Sequence, residues 1–391
     1  MNLVFVTEAR FFKNNNGEIY GDAAFEHQIW ERYLNVFEKL FIVARVAQKI
    51  ENDDPIYISS GPNVNFIEIP YYVGPLQYLF KSFQIHAKIK ELVTTHIDNA
   101  FICRIPGNMG DMVIRELKKH SKKYGVEVVG DPDDVFSDKS FNHPLKKFFH
   151  SKTIRNLNRN VAGADAVLYV TKTTLQKKYP PPPNAFCTYA SNVMLATDVS
   201  ARTPRNLRTN TTFKILCAGS LEQMYKAPDV ALEAVKLYNE KFPHRQISFT
   251  WLGGGTYLET LKKHCDELKL PNFHFKGQVS LDQVDHEMRE SDLFVLISRT
   301  EGLPRVIIEA MAHGLPVIGT KVGGIPELLS EEVLIKKNDA AALAHKIYDL
   351  LSQPEFYTRI STRNLMEAKE YETAVLRSRR EEFYQTLKTR N

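Results

Sequence analysis

One run, residues 293 to 326, LFVLISRTEGLPRVIIEAMAHGLPVIGTKVGGIP, restricts the fold of this chain more than any other. Residues 293–297 are apolar and strand-like, and Ser298-Arg299-Thr300 make a polar turn. Glu301 and Gly302-Leu303-Pro304 then lead into a short helical pattern that stops at Gly314. A second apolar run over 315–318 and a Gly323-Gly324 turn close the stretch. Strand, loop, helix and strand at this length form a βαβ unit of a parallel sheet. Such sheets bind ligands beyond the carboxyl ends of their strands. Glu301 belongs at such an end, and Glu309 lies inside the following helix. Between them, helix-start amides make an anion site. Pro304 has no N–H to give, whereas Leu303, Arg305 and Val306 do. Carboxylates flanking an anion site suit a ligand with phosphates in the middle and hydroxyls at both ends. A nucleotide sugar has that layout.

The rest of the chain repeats the alternation. Residues 3–6 read as a strand, and 7–22 as a long polar loop whose Gly17 and Gly21 place it to wrap a ligand at the sheet edge. Residues 23–39 read as a helix, with Phe25, Ile29, Tyr33 and Phe37 at helical spacing, and 41–46 as the next strand. Residues 75–93 form an amphipathic helix with Lys81, Lys88 and Lys90 on its polar side; its aromatic residues are expected in the core. Strand 126–129 runs into Gly130-Asp131, which puts Asp131 at a strand exit. Asp131 and Asp133 spell D-x-D, a metal-binding pattern too short to distinguish from chance, and no metal is expected. Four prolines at 180–183 cannot continue a helix or a central strand, so the interdomain linker falls in the polar, irregular stretch from there to about 212. The second half opens with strand 213–219, ending in Gly219-Ser220. Lys226 follows, just before a helix, where a lysine can pair with phosphate. Gly253-Gly254-Gly255 implies close backbone approach but is not a dinucleotide fingerprint.

The run EGLPRVIIEAMAHGLPV, with glutamates eight residues apart, resembles the donor-site motif of the family-four retaining glycosyltransferases of GT-B fold. The resemblance implies an α/β chain of two Rossmann-like domains whose parallel sheets face each other across a cleft. The expected division is 1–195 for the acceptor domain, 196–370 for the donor domain, and 371–391 for a final helix returning to the first. It implies Glu301 on the donor sugar's hydroxyls, Glu309 on the ribose hydroxyls, and the backbone at Val279 against the base. It also implies Gly219, Ser220, Lys226, Gly302, Leu303, Arg305 and Val306 around the diphosphate. Three positions depart from the family pattern: Ser220 replaces an arginine, Gly17 to Gly21 replaces a Gly-Gly pair, and Asp131 replaces a histidine near the donor sugar. Lys226, Glu301 and Asp131 are therefore the expected catalytic residues. The chemistry implied is retaining, metal-independent hexosyl transfer, in which the leaving phosphate takes the acceptor proton. UDP-glucose is the first choice of donor and GDP-mannose the second. A UDP-sugar epimerase and a non-catalytic nucleotide-sugar-binding protein are the alternatives.

Composition limits the setting. With 391 residues, 43% of them hydrophobic and 25% charged, the chain is a globular protein of about two domains. No apolar run reaches the ~20 residues that span a bilayer, and the amino terminus lacks the basic region of a signal peptide. Four scattered cysteines without C-x-x-C suggest neither a zinc site nor a disulfide framework. A cytoplasmic enzyme without cofactor is expected. A net charge of +5 does not favour nucleic acid as partner. Residues 139–159 nevertheless hold six Lys/Arg, no acid and three phenylalanines, a surface suited to anionic lipid or a polyprenyl-diphosphate-linked acceptor.

Overall fold

The computed structural model describes residues 1–48, 57–136, 146–195, 199–209 and 212–391. Contacts divide the chain into two units. The first takes Met1–Asp133, Arg377–Asn391 and the described residues of 143–190; the second takes Ser191–Leu376 and the described residues of 134–142. None of the described helices is long and apolar enough to cross a membrane.

Among the described residues the first unit is built on nine strands: β1 Leu3–Lys13, β2 Ile19–Gly21, β3 Leu40–Gln48, β4 Tyr57–Ile58, β5 Val64–Pro70, β6 Ala100–Ile105, β7 Gly125–Val128, β8 Ala166–Tyr169 and β9 Phe186–Tyr189. Its parallel part runs β5-β3-β1-β6-β7-β8-β9, while β2 pairs antiparallel with the far end of β1 and β4 pairs antiparallel with β2. Strand order reverses between β1 and β6, the point at which open α/β sheets bind ligands. Helices α1 Gly74–Thr95, α2 Asn108–Lys119 and α3 Lys146–Val161 cover one face. They bury Ile85, Ile89, Val113, Leu117, Leu157 and Val161 against Val6, Phe101, Cys103 and Val126.

Three local expectations are corrected. The loop expected over 7–22 is a hairpin. β1 continues to Lys13 because Phe11 buries against Phe25 and Phe66, with ring centroids 5.6 and 5.0 Å apart. The Asn14 Oδ1 accepts from the amides of Asn16 and Glu18, and Gly17 supplies the positive φ of 84° that the turn requires. The helix expected over 23–39 is two 3-10 turns, Ala23–Phe25 and His27–Trp30, and one α-helical turn, Glu31–Leu34. Burial of Trp30 and Tyr33 against Phe5 overrides the helical spacing. The irregular stretch after the prolines contains β9, an edge strand that pairs with β8.

Among the described residues the second unit carries six parallel strands: β10 Thr212–Ala218, β11 Gln246–Leu252, β12 Phe273–Gly277, β13 Leu293–Leu296, β14 Val317–Thr320 and β15 Leu334–Ile335. Their order, β12-β11-β10-β13-β14-β15, reverses between β10 and β13. Helix α4 Pro228–Lys241 follows β10, α5 Leu281–Glu290 follows β12, and α6 Arg305–Ala312 follows β13. The last helix, α7 Thr373–Arg390, reaches the first unit from Arg377 onward. There Tyr384 lies 4.9 Å from the Tyr33 ring, Lys388 donates to the Val36 carbonyl at 2.9 Å, and Arg390 donates to that of Asp165 at 2.6 Å.

Candidate active site

The loops after β10 and β13 meet where the second sheet's order reverses, and two ion pairs stitch them together. Lys226 closes a 3-10 turn just before α4 and pairs with Glu301 after β13. Both side chains are nearly buried, 11% and 10% exposed. Ser298 Oγ donates to the same Glu301 oxygen at 2.6 Å. Gly219 makes room for this arrangement, since a Cβ there would stand 3.1–3.3 Å from the Lys226 stem. The second pair lies below. Arg299 grips Asp229 of α4 through two bonds of 3.0 and 2.7 Å and donates to the Met224 carbonyl at 2.6 Å. Its own amide donates to the Tyr225 carbonyl at 2.7 Å. The Lys226 loop therefore cannot move independently of the Glu301 loop.

Glycines hold the backbones in place. Gly253, at φ 128°, sits so close to β10 that a Cβ would lie 2.2 Å from the Gly219 carbonyl oxygen, and Gly255 crowds the Glu222 amide in the same way. The three-glycine run thus serves approach to another loop. Trp251 Nε1 donates to the Gly219 carbonyl at 2.9 Å. On the other side, Gly324 donates to the Gly302 carbonyl at 2.7 Å, and Gly323 leaves no room for a side chain beside Glu301. Ser220 is exposed, and its hydroxyl accepts from the Glu222 amide at 3.2 Å. It brings no charge to the loop.

Helix α6 begins at Arg305 with Pro304 as its N-cap and no side-chain cap; the Ile307 amide turns back to the Pro304 carbonyl at 3.2 Å, which leaves the amides of Arg305 and Val306 available. Burial holds the Glu309 carboxyl above the usual carboxylate range, and Arg305 partly offsets this. Glu309 also lines a small, mostly apolar cavity of about 120 Å³ with Leu281, Val284 and Met288 of α5. Val279 stands just ahead of α5, whose start is fixed by a Ser280–Gln283 capping box. The second unit therefore holds Gly219, Lys226 and Glu301 together, with Ser220, Gly302 and Leu303 in the same two loops and Arg305, Val306 and Glu309 on α6.

Gly17 and Asp131 belong to the first unit. Gly17 tops the β1–β2 hairpin, with open space around it. Asp131 accepts from Lys178 at 2.6 Å and from the Tyr179 hydroxyl at 2.8 Å. Lys178 also pairs with Asp133, whose other oxygen meets His150 Nε2 at 2.6 Å. A single lysine thus bridges the two carboxylates of the D-x-D pattern. Sequence reasoning missed Glu8, at the reversal point of the first sheet. Its carboxylate accepts from the Met109 amide at the start of α2 and lies 3.3 Å from Arg45. Burial nevertheless pushes its pKa up. Gly107 marks the spot, because a Cβ there would stand 2.3 Å from the Glu8 side chain.

The model of the family "Glycosyl transferases group 1" matches residues 200–379. Protein CapJ of Staphylococcus aureus is 32% identical over 357 residues, covering 89% of this chain and 85% of CapJ. The chain belongs to the group 1 glycosyltransferases. Its fold is shared with sucrose-phosphate synthase of Thermosynechococcus elongatus, at a TM-score of 0.70, 16% identity and full coverage of both chains. HepE of Anabaena, solved with UDP, superposes at 0.67 with 14% identity and full coverage, and its UDP-glucose complex at 0.64. The glycosyltransferase is thus a GT-B protein. The stitched loops of its second unit lie within the matched region.

Proposed function

We propose that the glycosyltransferase moves a hexose from a UDP-sugar, UDP-glucose first among them, to a glycan or polyprenyl-diphosphate-linked acceptor in cytoplasmic polysaccharide assembly. The reaction retains anomeric configuration and needs no metal ion. The observation that carries this reading is the buried Lys226–Glu301 pair beside the open amides of α6. A departing diphosphate needs positive charge fixed in advance. Lys226 and the amides of Leu303, Arg305 and Val306 supply it, with the Arg305 side chain supplementing the neutral Ser220. When the diphosphate takes the ammonium, Glu301 is released to accept from the sugar's hydroxyls, and Glu309 accepts from the ribose. The leaving phosphate oxygen takes the acceptor proton on the same face, so neither glutamate becomes a nucleophile. Gly219 and Val279 offer backbone to the phosphates and base, and Asp131 offers its remaining acceptor capacity to acceptor hydroxyls. CapJ's likeness over most of its length and HepE's complex with UDP-glucose support the class and the donor.

A thermal-shift screen of nucleotide sugars, with magnesium or with EDTA, tests the reading. UDP-glucose at about a hundred times its Kd should raise the midpoint by roughly 5 °C, equally in EDTA. A shift that requires the metal would return Asp131 and Asp133 to consideration as ligands, and a shift by GDP-mannose alone would replace the donor. The Glu309 carboxyl adds a pH signature. Its pKa is raised, so it protonates, and loses acceptor capacity for ribose hydroxyls, at a higher pH than an ordinary glutamate does. Donor affinity should be level at neutral pH and fall as pH drops through that raised value. Calorimetric titration of Glu309→Gln should show weaker binding with this fall removed; an unaltered profile would exclude Glu309 from the donor site.

A further inference from the structure

Helix α1 is apolar on two faces, and only one is covered. Ile85, Ile89, Leu92 and Val93 are buried in the core of the first unit. In the amino-terminal half, Leu76, Leu79, Phe80 and Phe83 are 70, 63, 89 and 85% exposed. Their spacing of i, i+3, i+4 and i+7 places them in one stripe. This reverses the expectation that the helix's aromatic residues all lie in the core: Tyr78 packs inward, with its hydroxyl on Met112, while Phe80 and Phe83 point out. Scattered exposed apolar residues are ordinary, but a contiguous stripe of four large ones marks a contact surface.

The charges nearby identify the contact. Helices α1, α2 and α3 lie side by side, and Asp111 of α2 accepts from Asn156 and Asn160 of α3 at 2.6 Å each. Each helix precedes a strand of the same parallel sheet, so all three begin at its carboxyl edge. The α1 stripe and the first turn of α3 therefore share that edge. Phe148 of α3 is 61% exposed, and Lys147, Lys152, Arg155 and Arg159 are exposed on a helix without a single acidic residue. Of the basic stretch expected to meet lipid, residues 139–145 lie outside the described residues, and the remainder forms this helix.

We infer that this edge seats on a bilayer rich in anionic phospholipid, with the α1 stripe among the acyl chains and Lys147 and Lys152, in the first two turns of α3, at the phosphates. A second copy of the chain fits poorly, because a two-fold contact would set the same cations against one another. The inference uses only the first unit and stands apart from the donor reading.

Sedimentation of the full chain with vesicles tests it. Binding is expected to vesicles of phosphatidylcholine mixed with phosphatidylglycerol, and much less to phosphatidylcholine alone. The double variant Phe80→Ser/Phe83→Ser should lower partitioning on the order of a hundredfold. Both side chains face solvent, so its thermal midpoint and donor-induced shift should match those of the parent. Phe80→Trp should show blue-shifted emission on the mixed vesicles. Equal partitioning of parent and double variant would overturn the inference. So would absence of binding, or a parent dimer that the double variant splits without any vesicle binding.

Discussion

Lys226→Ala is expected to lower kcat/KM for sugar transfer by about a hundred- to a thousandfold, the scale lost when one preorganised donor to a developing oxyanion is removed. It should also lower stability. In the donor-free protein the ammonium is the charged partner of Glu301, and the substitution leaves that carboxylate nearly buried with the Ser298 hydroxyl still donating to it. Breaking a pair of this kind costs about 3 kcal/mol. The two effects separate in Lys226→Met/Glu301→Gln, which removes both charges: stability should largely return, while transfer stays lost. Single glutamate variants divide the site further. Glu309→Ala should mainly weaken donor affinity, whereas Glu301→Ala should lower turnover as well. Donor titration and steady-state kinetics measure both. Full activity in Lys226→Ala, or unchanged affinity and rate in both glutamate variants, would sink the assignment.

What the sequence disclosed follows from how local each signal is. The βαβ unit around Glu301 is written in contiguous residues, so its strand, N-cap and helix could be placed from periodicity, proline and glycine alone. Lys226 was legible for the same reason, as a cation between a strand end and a helix start. Its ion pair with Glu301 spans 75 residues, and nothing local encodes it. Arg299 read as one letter of a polar turn, yet its role is to clamp Asp229, 70 residues away. Glu8 was hidden because its partners, Arg45 of β3 and Met109 at the start of α2, are distant in the chain. The region 7–39 misled for a physical reason. Its aromatic residues sit at helical spacing, but Phe11, Phe25, Trp30 and Tyr33 bury as a cluster that a continuous helix would pull apart. On α1 the pattern was read with the right period and an incomplete partner: Ile85 and Ile89 explain one face, and only exposure reveals the other.

Gly323→Ala tests whether the Glu301 loop is held by the close approach of a neighbouring turn. At φ 50°, an alanine Cβ would fall 1.6 Å from the Glu301 carbonyl oxygen and overlap it. The left-handed conformation alone costs an alanine about 1–2 kcal/mol, and relieving the overlap requires moving the 301–302 backbone or the 323–324 turn. Either movement disturbs the Gly324-to-Gly302 hydrogen bond and shifts Glu301 relative to Lys226. Stability should fall by about 2–4 kcal/mol. Transfer should fall by roughly a hundredfold, because displacement of a reacting group by about 1 Å has that effect. Gly302→Ala is the contrasting variant. It has no neighbour within 4 Å of its would-be Cβ and no positive φ, so its stability should stay within about 0.5 kcal/mol of the parent. Chemical denaturation of the two variants side by side decides the matter. If Gly323→Ala is as stable as Gly302→Ala and transfers sugar at the parent's rate, the turn after β14 does not fix Glu301. The Arg299 clamp on Asp229 would then be the element that holds the loop.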